Sequence, residues 1–496
     1  MSSPLQRFPR SRFEDYVQSL MEKTKAPGVG VAISIGGDIA YFKGFGIADV
    51  EKNCPVTEDT VFGLGSVTKS FTALAVNLLA EKGALSLRHP VKRYLPEFKL
   101  PSPGNEEKIT IHNFLTHTSG IPPLPCLRLV NEASVPLEEP GEAPRLVVAE
   151  EAPYGAEAPQ AGETTRPRMW TNRDLLAFIA ECPFKMFPGP GQHVSYSNDC
   201  YSLLGEVIER VSGVSYESFL AEHLWKPLGM THTFVDVRRV LEFERVQGLY
   251  DKDGDGRVLK VPWRHREAFV SSGSVKSSVR DLVKYLSVYL NQGSPGGVRI
   301  CERATVDRMI TPYYRLEDGS YYSYGFLVYP AYAGDATLVC HGGNITGVAC
   351  YVGFVPEKKM SFVVLSNLTG FPARKVFFAA VNLSLGLPLD HQEPKLPAVE
   401  LPRAQLEKFV GRYASGEGVE LSFGLEGNEL VATLTSDQKT RVYPARPTGP
   451  DSVTMTRDDE DVPVFFMFDP RGSVWAIRYG LRLIPRVEAG TEVVQR

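Results

Sequence analysis

Gly63-Leu-Gly-Ser66-Val-Thr-Lys69-Ser-Phe71-Thr-Ala-Leu74-Ala-Val-Asn-Leu78-Leu79-Ala-Glu-Lys-Gly83 is the most apolar helical pattern in the chain, and it carries two reactive side chains at its start. Phe71, Leu74, Ala75, Leu78 and Leu79 recur at helical spacing, and Gly83 is the residue type that leaves a helix in a left-handed turn. The pattern predicts a helix from Ser66 to Gly83. Ser66 and Lys69, three residues apart, then share one face. A serine hydroxyl is a poor nucleophile without a neighbouring base, and a buried lysine can lose its proton because desolvation disfavours the ammonium. The helix start adds positive potential at Ser66. An N-capping serine beside a solvent-facing lysine would fit the same spacing. The apolar positions around Phe71 and Leu74 favour the buried amine.

Two further motifs lie far along the chain. Tyr196-Ser-Asn198 follows the turn-rich Phe187-Pro-Gly-Pro-Gly191 and precedes a helix expected from Tyr201. That places it on a connection, where functional groups concentrate. A phenol beside a lysine ammonium should have its pKa lowered, and Asn198 offers an amide. His341-Gly-Gly343 falls at the expected end of a strand, where paired glycines let a ligand approach the backbone. Each motif has a decoy. Ser436-Asp-Gln-Lys439 sits in a polar turn, and Tyr289-Leu-Asn291 closes a helix before Gly293.

Around these motifs the chain divides into readable parts. Helical periodicity over Ser11 to Lys25 leads into a hairpin, Gly28 to Ile35 and Ile39 to Phe42 around Gly36-Gly37-Asp38. Helices are expected over Ile111–Leu115, Asn172–Ala180, Tyr201–Val211, Tyr216–Leu224 and Val279–Leu290. Strands return at Thr337–His341, Val348–Phe354 and Met360–Leu365, before a last helix at Ala373–Leu385. Strands from both ends and helices from the middle predict an α/β (α+β) domain over 1–390: an antiparallel sheet flanked by helices, plus a helical lobe. Between Glu132 and Glu163 stand eight Glu and one basic residue, Arg145, which marks an acidic surface insertion over about 125–168. After the Pro-rich Leu387 to Pro402, short alternating segments at Val419, Glu429, Arg441, Ser452, Val464 and Val474 predict a small antiparallel β-barrel over 403–496.

Composition narrows the function classes. In 496 residues the formal charge is −4, without a Lys/Arg block, which points away from nucleic acid and from a polybasic membrane contact. The polar start, Met1 to Tyr16, offers no signal or membrane-spanning stretch, so a cytoplasmic protein is expected. Cys54, Cys126, Cys182, Cys200, Cys301, Cys340 and Cys350 show neither zinc-site nor disulfide spacing. Asp251-Lys-Asp-Gly-Asp-Gly256 opens like a calcium loop, but Pro262 stands where a bidentate Glu belongs. No metal and no cofactor are expected. His112 and His117 read as structural residues.

In this order and context, Ser66-x-x-Lys69, Tyr196-x-Asn198 and His341-x-Gly343 resemble the penicillin-recognising serine hydrolases: class C β-lactamases, DD-carboxypeptidases, D-aminopeptidases and related esterases. Leu115-Thr-His-Thr-Ser-Gly-Ile121 and Pro227-Leu-Gly-Met230 resemble connecting segments of that family. The resemblance implies that Ser66 is acylated, that Lys69 and Tyr196 share the proton transfers, and that Asn198 positions the acyl amide. It also implies an oxyanion hole from the backbone N–H groups of Ser66 and Asn344, beside Gly343. The C-terminal barrel resembles the lipocalin-like appendage of CubicO-type peptidases, some of which assemble into closed oligomers, so a homo-oligomer is implied. His341 stands where many members have lysine, and no E-x-x-L-N element is present, which argues against efficient β-lactam hydrolysis. His341 is instead expected to donate a hydrogen bond near the leaving group or a carboxylate. The substrate implied is a small peptide, including those with D-residues, or an ester or amide. A second reading keeps the fold and assigns it binding or scaffolding without turnover.

Overall fold

The computed structural model describes residues 8–137, 171–391 and 397–488, apart from 428, 437–438 and 458–459. Most of the acidic insertion lies outside the described residues. Of the part within them, Cys126–Glu132 is a helix and Val135–Pro136 a short strand.

A nine-stranded antiparallel sheet holds the main body together. The N-terminal hairpin, Gly28–Ile35 and Asp38–Asp49, joins the C-terminal strands through Met360–Ser366, with Val31 opposite Val364 and Ile33 opposite Phe362. Strand alternation sorts the side chains onto two faces. Val29, Val31 and Ile33 join Phe13, Val17, Val376 and Phe377 beneath helices Arg10–Thr24 and Ala373–Ser384. Ala32, Val363 and Leu365 face the other way, into the larger core shared with Phe71, Leu74, Leu282 and Leu286 of the helical lobe.

The helix of the first motif starts with a tight turn at Gly65–Val67 and continues as Thr68–Glu81. Every residue from Thr68 to Leu79 is buried, so this helix runs through the core between sheet and lobe. Helix Val279–Leu290 falls where its spacing predicts. Helix Asn198–Ser212 begins earlier than expected, because Ser197 caps it by accepting from the Cys200 N–H at 3.1 Å. Asn198 therefore sits in the first helical turn and not on a loop. The strand expected to end near His341 runs on to Ile345, since Gly342, Gly343 and Asn344 still pair with Tyr351, Cys350 and Ala349. The decoy Tyr289 is a core residue whose hydroxyl meets Tyr285 at 2.9 Å.

Eight antiparallel strands from Gly411 to Val487 form a closed barrel, sealed where Tyr413 pairs with Arg486. Its interior is filled, with Phe409 stacked on Phe466 at 4.1 Å. Two of its strands, Gly411–Ala414 and Arg482–Val487, were not marked by the sequence pattern. The turn before that last strand is fastened to the lobe. Leu481 O accepts from Tyr196 N at 2.9 Å, Leu483 N donates to Ser195 Oγ at 3.2 Å, and Arg478 Nη1 donates to Val194 O at 2.7 Å. No helix among the described residues is long and apolar enough to cross a membrane.

Candidate active site

Ser66 lies where two backbones pass in contact. Gly65 adopts φ +48°, and a Cβ there would come within 3.0 Å of Asn344 N. A Cβ on Gly343 would fall 1.9 Å from Leu64 O, so only glycine lets the motif strand lie this close to the turn that carries Ser66. Pairing with the neighbouring strand ends at Leu327–Cys340, which leaves His341 to Ile345 with an open edge on that side. Ser66, Tyr196, Asn198, His341, Gly343 and Asn344 all line one cleft of about 1420 Å³, and Lys69 sits directly behind Ser66. The fold thus gathers all seven residues singled out in the sequence.

Lys69 is fully buried. Its Nζ is 2.8 Å from Asn198 Oδ1, 2.8 Å from Ser272 O and 3.2 Å from Ser66 Oγ. Burial holds its pKa well below the usual range, and the nearby Arg482 and Arg266 guanidinium groups push the same way. A neutral amine has two N–H groups. Asn198 Oδ1 and Ser272 O can only accept, so they take both and leave the lone pair for Ser66.

Tyr196 does not behave as its neighbours in the sequence suggest. Burial raises its pKa, and the lowering contributions of Ser66 and Arg482 are smaller. Burial thus keeps the phenol protonated. Its hydroxyl has no partner of good hydrogen-bond geometry, Ser66 included, although Ser66 is near enough to favour the phenolate. Two basic groups lie against the ring, with Lys69 Nζ 4.7 Å and Arg482 Cζ 5.1 Å from its centroid.

His341 corrects another expectation. Its Nδ1 is 2.6 Å from Gly342 O and its Nε2 3.2 Å from Tyr322 Oη. Tyr322 Oη also meets His117 Nε2 at 3.1 Å, and His117 Nδ1 accepts from Ser197 N at 3.1 Å. One set of tautomers satisfies this chain: His117 donates to Tyr322, Tyr322 to His341, and His341 to Gly342 O. Burial keeps both imidazoles neutral, with the His341 pKa down at about 4. His341 therefore has no free N–H to offer a substrate. His112 and His117 are internally satisfied as expected, but His117 also packs 4.2 Å from the Tyr196 ring, a placement its sequence neighbourhood did not signal.

Arg482, paired with Glu417 of the barrel, is a second group absent from the sequence reading. Asp199, buried next to Asn198, is a third, with its pKa pushed up to about 6 by burial. The Asp251–Gly256 segment is a hairpin turn in which the Asp253 carboxylate accepts from the backbone N–H of Asp255 and Arg257. No cluster of metal-ligating side chains occurs among the described residues.

An antiparallel sheet, a helical lobe and a Ser-x-x-Lys helix between them define the β-lactamase/transpeptidase fold. The chain belongs to the Beta-lactamase family, whose model matches residues 13–383. It is 25% identical to Penicillin-binding protein 4* of Bacillus subtilis over 458 residues, covering 88% of this chain and 90% of that one. The octameric penicillin-binding protein homologue from Pyrococcus abyssi superposes with a TM-score of 0.66 at 29% identity, over 96% of this chain and 100% of that one. A class C beta-lactamase superposes with a TM-score of 0.58 at 22% identity, over 78% of this chain and 97% of that one, a likeness of fold.

Proposed function

We propose that this chain is a serine hydrolase that forms an acyl-enzyme on Ser66. The observation that carries the reading is the fully buried Lys69 amine, with Nζ 2.8 Å from each of two acceptors, Asn198 Oδ1 and Ser272 O, and 3.2 Å from Ser66 Oγ. Lys69 takes the serine proton as the oxygen attacks the carbonyl carbon. The resulting oxyanion is held by the backbone N–H groups of Ser66 and Asn344. Tyr196, kept protonated by burial, gives its proton to the leaving group and regains one from the Lys69 ammonium. Water then attacks the acyl-serine, Lys69 receives its proton, and that proton returns to Ser66. Asn198 orients both the amine and the acyl group, and Gly343 permits the close approach. His341 stays neutral and fixes the start of the open strand edge.

The substrates proposed are small peptides, including those with D-residues, or esters and amides. A homo-oligomer is proposed with it, supported by the octameric penicillin-binding protein homologue from Pyrococcus abyssi. Intact-protein mass spectrometry after a fluorophosphonate or activated ester tests the chemistry: an adduct on Ser66, absent in Ser66→Ala, is expected, and no adduct would overturn it. A panel of L- and D-aminoacyl nitroanilides ranks the substrates, and light scattering reads the assembly.

A further inference from the structure

The cleft beside Ser66 is lined by Arg264, Arg266, Lys276, Arg374, Arg457 and Arg482, and by no Asp or Glu among the described residues. In a chain of net charge −4 this is a local concentration of positive charge. Two of these cations are held close to the nucleophile. Lys276 lies opposite Gly63 in a two-stranded pairing, three residues before Ser66, and is only 5% exposed. The Arg266 guanidinium lies beside Gly273, 3.8 Å from where a Cβ would stand, and the Gly65 carbonyl carbon is 3.9 Å from that same point.

Among the described residues no carboxylate forms an ion pair with either cation. Arg266 Nη1 donates to the neutral Asn131 Oδ1 at 2.7 Å, and Lys276 Nζ donates to Val235 O at 2.6 Å and rests 5.9 Å from the Trp263 ring centroid. The carboxylates whose fields reach Lys276 are those of Glu217 and Asp236. Arg239 pairs with Glu217 at 3.5 Å and Arg238 with Asp236 at 2.6 Å. Burial lowers the Lys276 pKa to about 7 and that of Arg266 to about 10, because desolvation disfavours the charged forms. Perturbed basic groups lining a cleft mark a candidate ligand site.

We propose that Arg266 and Lys276 form an anion subsite beside Ser66 and that the substrate carries a carboxylate on its acyl part. The assignment to the acyl part rests on the proposed function. Tyr196 protonates the leaving group, so that group faces Tyr196 and Arg482, and the wall around Gly63, Gly273 and Lys276 is left for the acyl portion. A planar guanidinium and an ammonium together match a carboxylate's two oxygens.

Mono-p-nitrophenyl glutarate and p-nitrophenyl butyrate, which share a leaving group and differ by an acyl carboxylate, test this. The expected result is acylation of Ser66 at least about tenfold faster by the glutarate, a preference that shrinks as salt is raised. In Arg266→Gln/Lys276→Gln the ratio should fall to about one, and Lys276→Arg should restore part of it over Lys276→Gln. A wild-type ratio near one, or a ratio untouched in the double variant, would overturn the subsite. Absence of an adduct from both esters would instead remove the hydrolase reading. The subsite is then read from calorimetric binding of monomethyl glutarate, where saturable binding lost in the double variant upholds it and no binding overturns it.

Discussion

The guanidinium of Arg482, carried by the last strand of the barrel, lies over the face of Tyr196 with Cζ 5.1 Å from the ring centroid. A residue of the appended barrel thus touches the phenol of the active-site cleft, and its charge is the largest coulombic influence on Lys69. Arg266 pushes Lys69 the same way, and Glu417 and Asp199 oppose it. Acylation needs the uncharged amine, so the rate should rise with pH through the depressed Lys69 pKa and then level. In Arg482→Gln that limb should move to higher pH, with a larger loss at pH 6 than at pH 9. A pH profile of Ser66 acylation checks it, and an unmoved limb would dissociate Arg482 from the proton inventory.

Lys69→Met shortens the unbranched side chain by one atom and removes the amine lone pair. Acylation by an activated ester should fall by about 10²–10⁴, the usual worth of a positioned base. Circular dichroism should remain native, since an apolar side chain suits this fully buried position. A loss of less than tenfold would reassign the base.

His341 is neutral in the fold, with its pKa lowered from 6.5 to about 4 by burial and, secondarily, by Lys69. The unfolded chain binds a proton below 6.5 that the folded chain refuses until about 4. Stability from this group is therefore complete above pH 6.5 and lost as pH falls to 4, by about 3 kcal/mol at most. His341→Gln should flatten the decline of Tm between pH 6.5 and pH 4 relative to wild type.

Gly343→Ala would drive a methyl group into Leu64 O and Cys350 Sγ, 1.9 and 2.7 Å from the new Cβ. The strand must retreat from Gly65 or the turn must deform. A cost of about 1–3 kcal/mol is expected from overpacking, with a deeper loss of acylation because Asn344 N moves with the strand. Urea unfolding alongside ester kinetics separates the two effects.

Much of this architecture is readable from local pattern. The spacing of Phe71, Leu74 and Leu78 marks the core helix, and alternation marks six of the eight barrel strands, because periodicity and burial coincide there. The strand Arg482–Val487 escapes because Arg482, Pro485 and Arg486 interrupt its alternation, and with it escapes a residue of the cleft. Motif spacing picks out the residues around Ser66 but not their protonation. That Tyr196 is protonated and His341 has no free N–H depends on burial and on Tyr322 and His117, which arrive from remote segments. The Arg266–Lys276 pair is invisible for the same reason, since adjacency across the cleft has no signature in a linear chain.

The clasp between Leu481, Leu483 and the Ser195–Tyr196 segment has a practical corollary for anyone wishing to trim this molecule. Cutting the barrel away would not leave the cleft around Ser66 intact. It would strip Tyr196 N of its acceptor, open one wall of the cleft to water and withdraw the guanidinium whose charge acts most strongly on Lys69 in a single stroke.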